Sequence, residues 1–313
     1  MKRGFLLPGK KQAAPKTPAT PPVTPPAPSD TTSPIAPLPL PPTASFHTSP
    51  ADSSTLHWTL TPSQGPTIAL HATSSTVAAL RTTYFFSSPT PPPIPSYAPL
   101  YEVKELSGKG KGLVATADLA PDSLILLDRP LLVYVPSAIP RPHINAILSR
   151  ALAPLSREQQ EAFLGLHNCF SSSASDGALL GRAETNGLPV VSLSDLPTSA
   201  NADAVSYTGV FPLASRINHA CDANCRLEWS AEDWVLRVKT SRAVKKGEEL
   251  CISYIVPFQK RRERREELRV KWRFECMCGW CSLPDAESAK KDEEREKMAE
   301  AFLKQWNAQA EGA

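Results

Sequence analysis

Arg216-Ile217-Asn218-His219-Ala220-Cys221-Asp222-Ala223-Asn224 is the stretch on which the fold turns, because its cysteine needs partners from far along the chain. Those partners stand in Phe274-Glu275-Cys276-Met277-Cys278-Gly279-Trp280-Cys281. One remote cysteine plus a CxCxxC cluster can supply four thiolates, Cys221, Cys276, Cys278 and Cys281, to one tetrahedral zinc ion. Three cysteines alone would leave a coordination position for water; Cys221 closes it and makes the metal structural. The C-terminal segment is thereby fastened over the middle of the domain. Between the two patches lies Gly247-Glu248-Glu249-Leu250-Cys251-Ile252-Ser253-Tyr254. Cys169, Cys225 and Cys251 have no partner spacing and read as small buried hydrophobes.

The 313 residues suffice for two average domains, but the composition is uneven. Two-thirds of the 33 prolines fall before residue 101, among Ser, Thr and Ala. Such a stretch cannot offset its ordering entropy by burying a continuous apolar surface, so residues 1–97 are expected to be a mostly disordered tail. The start, Met1-Lys2-Arg3-Gly4-Phe5-Leu6-Leu7-Pro8, has a signal peptide's charge, but proline ends its short apolar run. No stretch approaches the roughly 20 apolar residues of a membrane span, so neither secretion nor membrane insertion is expected. Seven cysteines in a non-secreted chain favour free thiols and metal ligands over disulfides. The net charge of +3, from 34 basic and 31 acidic residues, is too balanced to argue for a nucleic-acid partner.

Further along, strands are expected at 101–106, 113–116 and 124–127, with turns at 107–112 and at Pro121-Asp122-Ser123. Pro130 and Pro136 close this group. Apolar residues at three- and four-residue spacing predict helices over 143–151 and 157–166, within an insert at 141–204 whose remainder is weakly periodic. Segments 226–229 and 234–238 read as paired strands, the alternation of Trp234, Leu236 and Val238 giving an apolar face. A strand over 250–255 and a helix over 259–272 follow. Glu263, Glu266 and Glu267 interleave with that helix's basic residues, as in a solvated helix with i,i+4 ion pairs. A basic face for a substrate tail or a nucleic-acid backbone is the alternative. A last charged helix over 287–307 carries Met298, Phe302, Leu303 and Trp306 on one side. It is expected to pack back on the domain, with a partner-binding helix as the alternative. The fold class is mostly β, with helices inserted.

Four motifs occur in sequence: Gly110-Lys111-Gly112-Leu113-Val114-Ala115, Asn218-His219 with Cys221 and Asn224, Gly247-Glu248-Glu249 leading into Tyr254, and the cysteines at 276–281. In this order they resemble the SET-domain protein-lysine methyltransferases with a post-SET cysteine cluster. The resemblance covers residues 100–283, with the insert matching only as a variable region. It departs at Ala220, where the family usually has serine; a methyl group there leaves the asparagine, histidine and metal ligand intact. A SET-type fold of short β-sheets is implied: a SET domain over 98–256, a post-SET helix and zinc segment over 257–283, and a charged helix over 284–313.

The resemblance also implies S-adenosylmethionine, kinked, on one face of the domain and a target lysine reaching it through a channel from the other. Lys111, Gly112, Leu113, Asn218, His219, Tyr254 and Phe274 are the implied cofactor-binding residues. Gly110 and Gly112 would let backbone approach the cofactor, although the glycines alone also fit a plain hairpin turn. Phe274 would stack on the adenine, and Asn224 would secure the loop carrying Cys221. His219 is not needed as a zinc ligand.

Tyr254 is the expected catalytic residue, with Tyr207 a second candidate for lining the channel. A lysine amine is almost wholly charged at neutral pH, a handicap of roughly 4 to 5 kcal/mol. Desolvation beside a sulfonium favours the neutral amine, and the tyrosine hydroxyl can orient it. The implied function is methyl transfer to a protein lysine, histone or non-histone. The alternatives are an inactive SET domain serving as a scaffold and a zinc-supported nucleic-acid module. The expected partner is a protein presenting a lysine, with no nucleic acid and no membrane. The chain is expected to act as a monomer in the nucleus, the cytoplasm or both.

Overall fold

A computed structural model describes residues 46–47, 55–60, 68–73, 99–135, 144–170, 178–190, 207–230, 233–256 and 258–311, all within the unit Leu40–Ala313. In chain order come β1 (Phe46–His47), β2 (Thr55–Leu60), β3 (Ile68–Thr73), β4 (Tyr101–Leu106), β5 (Gly110–Ala115), β6 (Leu124–Asp128) and β7 (Leu132–Tyr134). Helices α1 (Ile144–Leu152), α2 (Arg157–Leu164) and α3 (Ala178–Asn186) are followed by β8 (Gly187–Val190), β9 (Tyr207–Val210) and a 3₁₀ turn (Ala214–Arg216). The chain continues through β10 (Asn218–His219), β11 (Cys225–Ser230), β12 (Val235–Thr240), β13 (Glu249–Ile252), α4 (Arg261–Trp272) and α5 (Asp285–Glu311).

Three sheets result, with strand orders β1-β2-β3-β7-β9-β8, β10-β13-β5-β4 and β11-β12-β6. The β4–β5 hairpin turns through Gly108 and Gly110 at φ +73° and +69°, a region closed to most side chains. Strand β13 pairs antiparallel with β5 and takes β10 in parallel, Asn218 opposite Cys251 and His219 opposite Ile252. That short parallel contact brings Asn218 and His219 beside the glycine hairpin. The pairing of 226–229 with 235–238 holds, but Trp234, expected to open the second strand, stands in the turn before it. Trp234, at φ +54°, is fully buried among Leu113, Leu126, Val133, Phe211, Ile217, Leu250 and their neighbours.

Three strands lie within the stretch expected to be mostly disordered. Ile68, Ala69 and Leu70 are fully buried, and β3 runs parallel to β7, with the Ala69 N–H donating to the Leu131 carbonyl at 3.0 Å. Segments 51–60 and 67–73 carry no proline, which an average over the whole tail conceals. The rest of 1–98 lies outside the described residues. Strand β7 was not foreseen either: Pro130 and Pro136 flank it without interrupting it, and its three residues are buried.

Both expected helices of the insert form. Ser156 caps α2 in a reciprocal pair with Gln159. Leu148, Phe163 and Leu180 pack with Leu132, Tyr134 and Val210 into a second core. Helix α3 and strand β8 were not legible as such, and residues 171–177 and 191–206 lie outside the described residues. The strand expected at 250–255 stops at Ile252, because the Tyr254 N–H leaves the ladder for His219 Nδ1 at 3.0 Å.

On α4, Arg269 pairs with Glu266 and Lys271 with Glu267, yet Arg264 on the same helix is buried. Helix α5 docks through polar groups: both carboxylate oxygens of Asp292 accept the Arg261 N–H at the start of α4, at 3.1 and 3.0 Å. Met298 and Leu303 remain exposed, so the apolar packing expected for them does not occur.

Candidate active site and metal centre

Cys221 follows β10 directly, and Cys276, Cys278 and Cys281 follow the left-handed turn at Arg273 that ends α4. The four sulfurs lie within 4.8 Å of one another. Cys221 is 4.0 Å from Cys276 and 3.5 Å from Cys281. Zinc–sulfur bonds of about 2.3 Å in a tetrahedron put sulfurs about 3.8 Å apart, so the donor set is close to what zinc requires. Four thiols this close cannot all ionise without a cation: hydrogen bonds from its neighbours hold Cys278 below the usual thiol range, and those same contacts push Cys221 above it. All seven cysteines are free thiols. Burial pushes Cys225 up to about 11 and Cys251 up to about 12, as inert core thiols. Cys169 differs from the expectation: it is half-buried and borders a cleft, where its sulfur accepts the Thr185 hydroxyl at 3.2 Å.

His219 ties this centre to Tyr254. Its Nδ1 accepts the Tyr254 N–H, so its hydrogen sits on Nε2, 3.3 Å from Cys221 Sγ. Burial pushes the imidazole down to about 4 and keeps it neutral. His219 therefore donates from Nε2 toward the Cys221 sulfur. Asn224, buried, binds β13 twice and the residue before it once: Oδ1 accepts the Cys251 N–H at 2.8 Å, and Nδ2 donates to the Glu249 carbonyl at 2.8 Å and to Glu248 Oε1 at 3.1 Å. It secures the loop bearing Cys221.

A cleft of ≈ 1010 Å³ opens between the glycine hairpin, the insert and the cysteine segment. Lys111, Asn218, His219, Tyr254 and Phe274 border it. Gly112 and Leu113 do not. Leu113 is fully buried in the core, and a Cβ on Gly112 would lie 2.6 Å from Asn218 Nδ2 and 2.5 Å from Leu106 Cδ1. The absent side chain at 112 thus makes room for the protein's own asparagine. Asn218 spends its amide hydrogens on Glu249 Oε1 at 2.9 Å and the Lys111 carbonyl at 3.4 Å. The other Glu249 oxygen takes Lys109 Nζ at 2.6 Å.

A second cavity of ≈ 290 Å³ is lined by apolar groups that include Leu188, Leu227, Ile252, Ile255 and Trp272. Thr185, Asn186, Ser215, Tyr254 and Trp272 border both spaces. The Tyr254 hydroxyl donates to the Ile217 carbonyl at 2.7 Å, and burial pushes its pKa up, so it stays protonated. The tyrosine ring lies 5.3 Å from His219 and 5.2 Å from Trp272, centroid to centroid. Tyr207 is buried in the core and borders neither cavity.

Three contributors escaped the sequence reading. Trp272, the last residue of α4, meets the Tyr254 ring through tertiary packing that no local pattern marks. Glu249 was visible as part of a motif, but its bridge between Lys109 and Asn218 depends on the β5–β13 register. Asp128, at the end of β6, is buried and accepts the Leu213 and Ala214 N–H groups at 2.9 and 2.7 Å. It pins the 3₁₀ turn that delivers Ile217 and Asn218, and no local pattern marks it.

Two spaces that meet at one protonated tyrosine, beside a thiol cluster shaped for a metal, define a mostly β protein with a two-sided site. Residues 110–255 match the SET domain family, and the chain carries a SET domain there, followed by the cysteine cluster. It is 27% identical over 201 residues to histone-lysine N-methyltransferase set5 of Schizosaccharomyces pombe, covering 64% of this chain and 56% of that protein. It is 42% identical over 76 residues to histone-lysine N-methyltransferase SET5 of Saccharomyces cerevisiae, which is 24% of this chain and 14% of that one. With histone-lysine N-methyltransferase SMYD3 of Homo sapiens it shares 36% identity over 80 residues, 26% of this chain and 18% of that one. The chain thus spans little more than half the length of the fission-yeast relative. Among the described residues, no helix is long and apolar enough to cross a membrane.

Proposed function

We propose that this chain is a protein-lysine N-methyltransferase that uses S-adenosylmethionine, with histones as its first substrate class, in keeping with the names of its relatives. The observation that carries the reading is Tyr254, which borders both the large cleft and the small apolar cavity. Cofactor bound in the cleft would supply a methyl group on a sulfonium, and the cavity would admit the lysine side chain. The cleft has the size of a small-molecule site, and the cavity lies at the low end of that range, about 300 to 1,000 Å³.

The chain's own residues divide the work. Asn218, its hydrogens taken by Glu249 and Lys111, presents an acceptor to the cofactor's amino group. Phe274, 6.1 Å from the His219 ring, offers a face for the adenine. Trp272, Leu188 and Ile255 desolvate the amine and favour its neutral form. The Tyr254 hydroxyl, anchored on the Ile217 carbonyl, keeps lone pairs to orient that amine and to meet the methyl hydrogens. Cys221, Cys276, Cys278 and Cys281 would hold a structural zinc ion that fixes Phe274 and Trp272 in place.

The test is transfer of radiolabelled methyl groups to core histones and to fractionated cell extract. Tyr254→Phe should lose at least about 100-fold in turnover while S-adenosylmethionine still binds by calorimetry, as expected for a group that positions reacting atoms. Full activity in Tyr254→Phe would sink the assignment of that residue. No labelling of any protein by the wild type would sink the enzyme.

A further inference from the structure

Two guanidinium groups are buried beside the four cysteines: Arg264 of α4, 1% exposed, and Arg295 of α5, 5% exposed. Arg264 Nη1 donates to the Gln259 carbonyl at 2.6 Å and reaches Asp292 Oδ1 at 3.3 Å. Its Nε and Nη2 complete no hydrogen bond. Arg295 lies over the Trp280 ring, 4.0 Å from its centroid, and Nη1 reaches the same Asp292 oxygen at 3.2 Å, while Nε completes no bond. One carboxylate thus serves two buried cations.

The Trp280 ring beneath Arg295 packs on the cluster formed by Cys221, Cys276, Cys281 and Leu268, and Leu268 lies one turn along α4 from Arg264. A surplus buried cation is strongly unfavourable unless an anion stands beside it. Four thiolates around a divalent ion carry two negative charges in excess, and with an ion bound that anion would stand close to these guanidiniums.

We infer that Arg264 and Arg295 form a cationic outer layer of the metal centre, begun on α4 and completed by α5, that neutralises the metal–thiolate cluster and slows loss of the ion. This rests on the reading of the four cysteines as zinc ligands. It gives α5 a role that its exposed Met298 and Leu303 do not suggest: it closes the centre with charge.

The test uses the full chain as wild type, Arg295→Met, Arg295→Lys, Arg264→Met and, as control, Arg262→Met on the exposed side of α4. Zinc content is measured by atomic emission, release to a chromogenic chelator is timed at fixed pH, and circular dichroism checks the fold. Arg295→Met and Arg264→Met should each release zinc about tenfold faster, the usual scale for outer contacts of a metal site. Arg295→Lys, which keeps the charge, should recover most of the difference, and Arg262→Met should match wild type. Release from Arg295→Met at the wild-type rate would overturn the inference. So would equal acceleration in Arg295→Met and Arg295→Lys, which would make packing on Trp280 the cause. A wild type without zinc would instead remove the metal reading beneath it, a separate result.

Discussion

Replacing Asp128 with asparagine should remove a pH dependence of stability that a single buried carboxyl imposes. Asp128 is 4% exposed, and one of its oxygens accepts the Leu213 and Ala214 N–H groups. Burial outweighs those bonds and pushes its pKa from 3.8 up to about 6. The folded protein therefore binds the proton more tightly than the unfolded chain between those two values. Stability from this group is fully present below pH 3.8 and is lost as pH rises through about 6. The full rise corresponds to roughly 3 kcal/mol, of which about 1.3 kcal/mol falls between pH 5 and pH 7.

Asp128→Asn keeps an oxygen for both N–H groups and does not titrate. Urea unfolding of both proteins at pH 5, 6 and 7 should therefore show the variant gaining on wild type by about 1.3 kcal/mol across that interval. Other titrating groups, the cysteines included, are common to both proteins and cancel in the difference. A gap that stays constant with pH would show that the carboxyl is ionised throughout, and the argument from burial would be wrong.

Leu70→Ala should cost about 2 to 5 kcal/mol and lower the melting temperature of the whole domain, because Leu70 is fully buried on β3. A loss under about 0.5 kcal/mol would detach that strand from the core. Asn224→Ala leaves the buried Cys251 N–H without its acceptor and should destabilise by about 1 to 3 kcal/mol. Zinc release should accelerate in parallel, and zinc retention at the wild-type rate would contradict its role in securing Cys221. Asn218→Ala should abolish S-adenosylmethionine binding by calorimetry while zinc content and melting temperature stay near wild type. Retained binding would remove Asn218 from the cofactor site.

What was legible in the sequence follows from the range of the interactions involved. The cysteine quartet could be read because a metal imposes a chemical need that survives any distance along the chain, and the sulfurs do converge. The paired strands around Trp234 and the two insert helices follow from local periodicity. Strand β3 was missed because its support comes from β7, more than fifty residues on, while the prolines around it dominate the composition. Arg264 reads as one more surface charge on a basic helix until Asp292 and the cysteines close over it. Gly112, expected to make room for a cofactor, does not border the cleft, and the group beside its missing side chain is Asn218.

A single imidazole joins a sulfur of the cysteine quartet to the main chain at Tyr254. Whatever draws Cys221 aside, whether an oxidant, a scavenging chelator or a competing ion, tugs on that ring and slackens its grip on the Tyr254 amide. Under the proposed methyl transfer, the history of a preparation, its reductant and its trace metals, would therefore be written into turnover even though no cysteine takes part in the reaction.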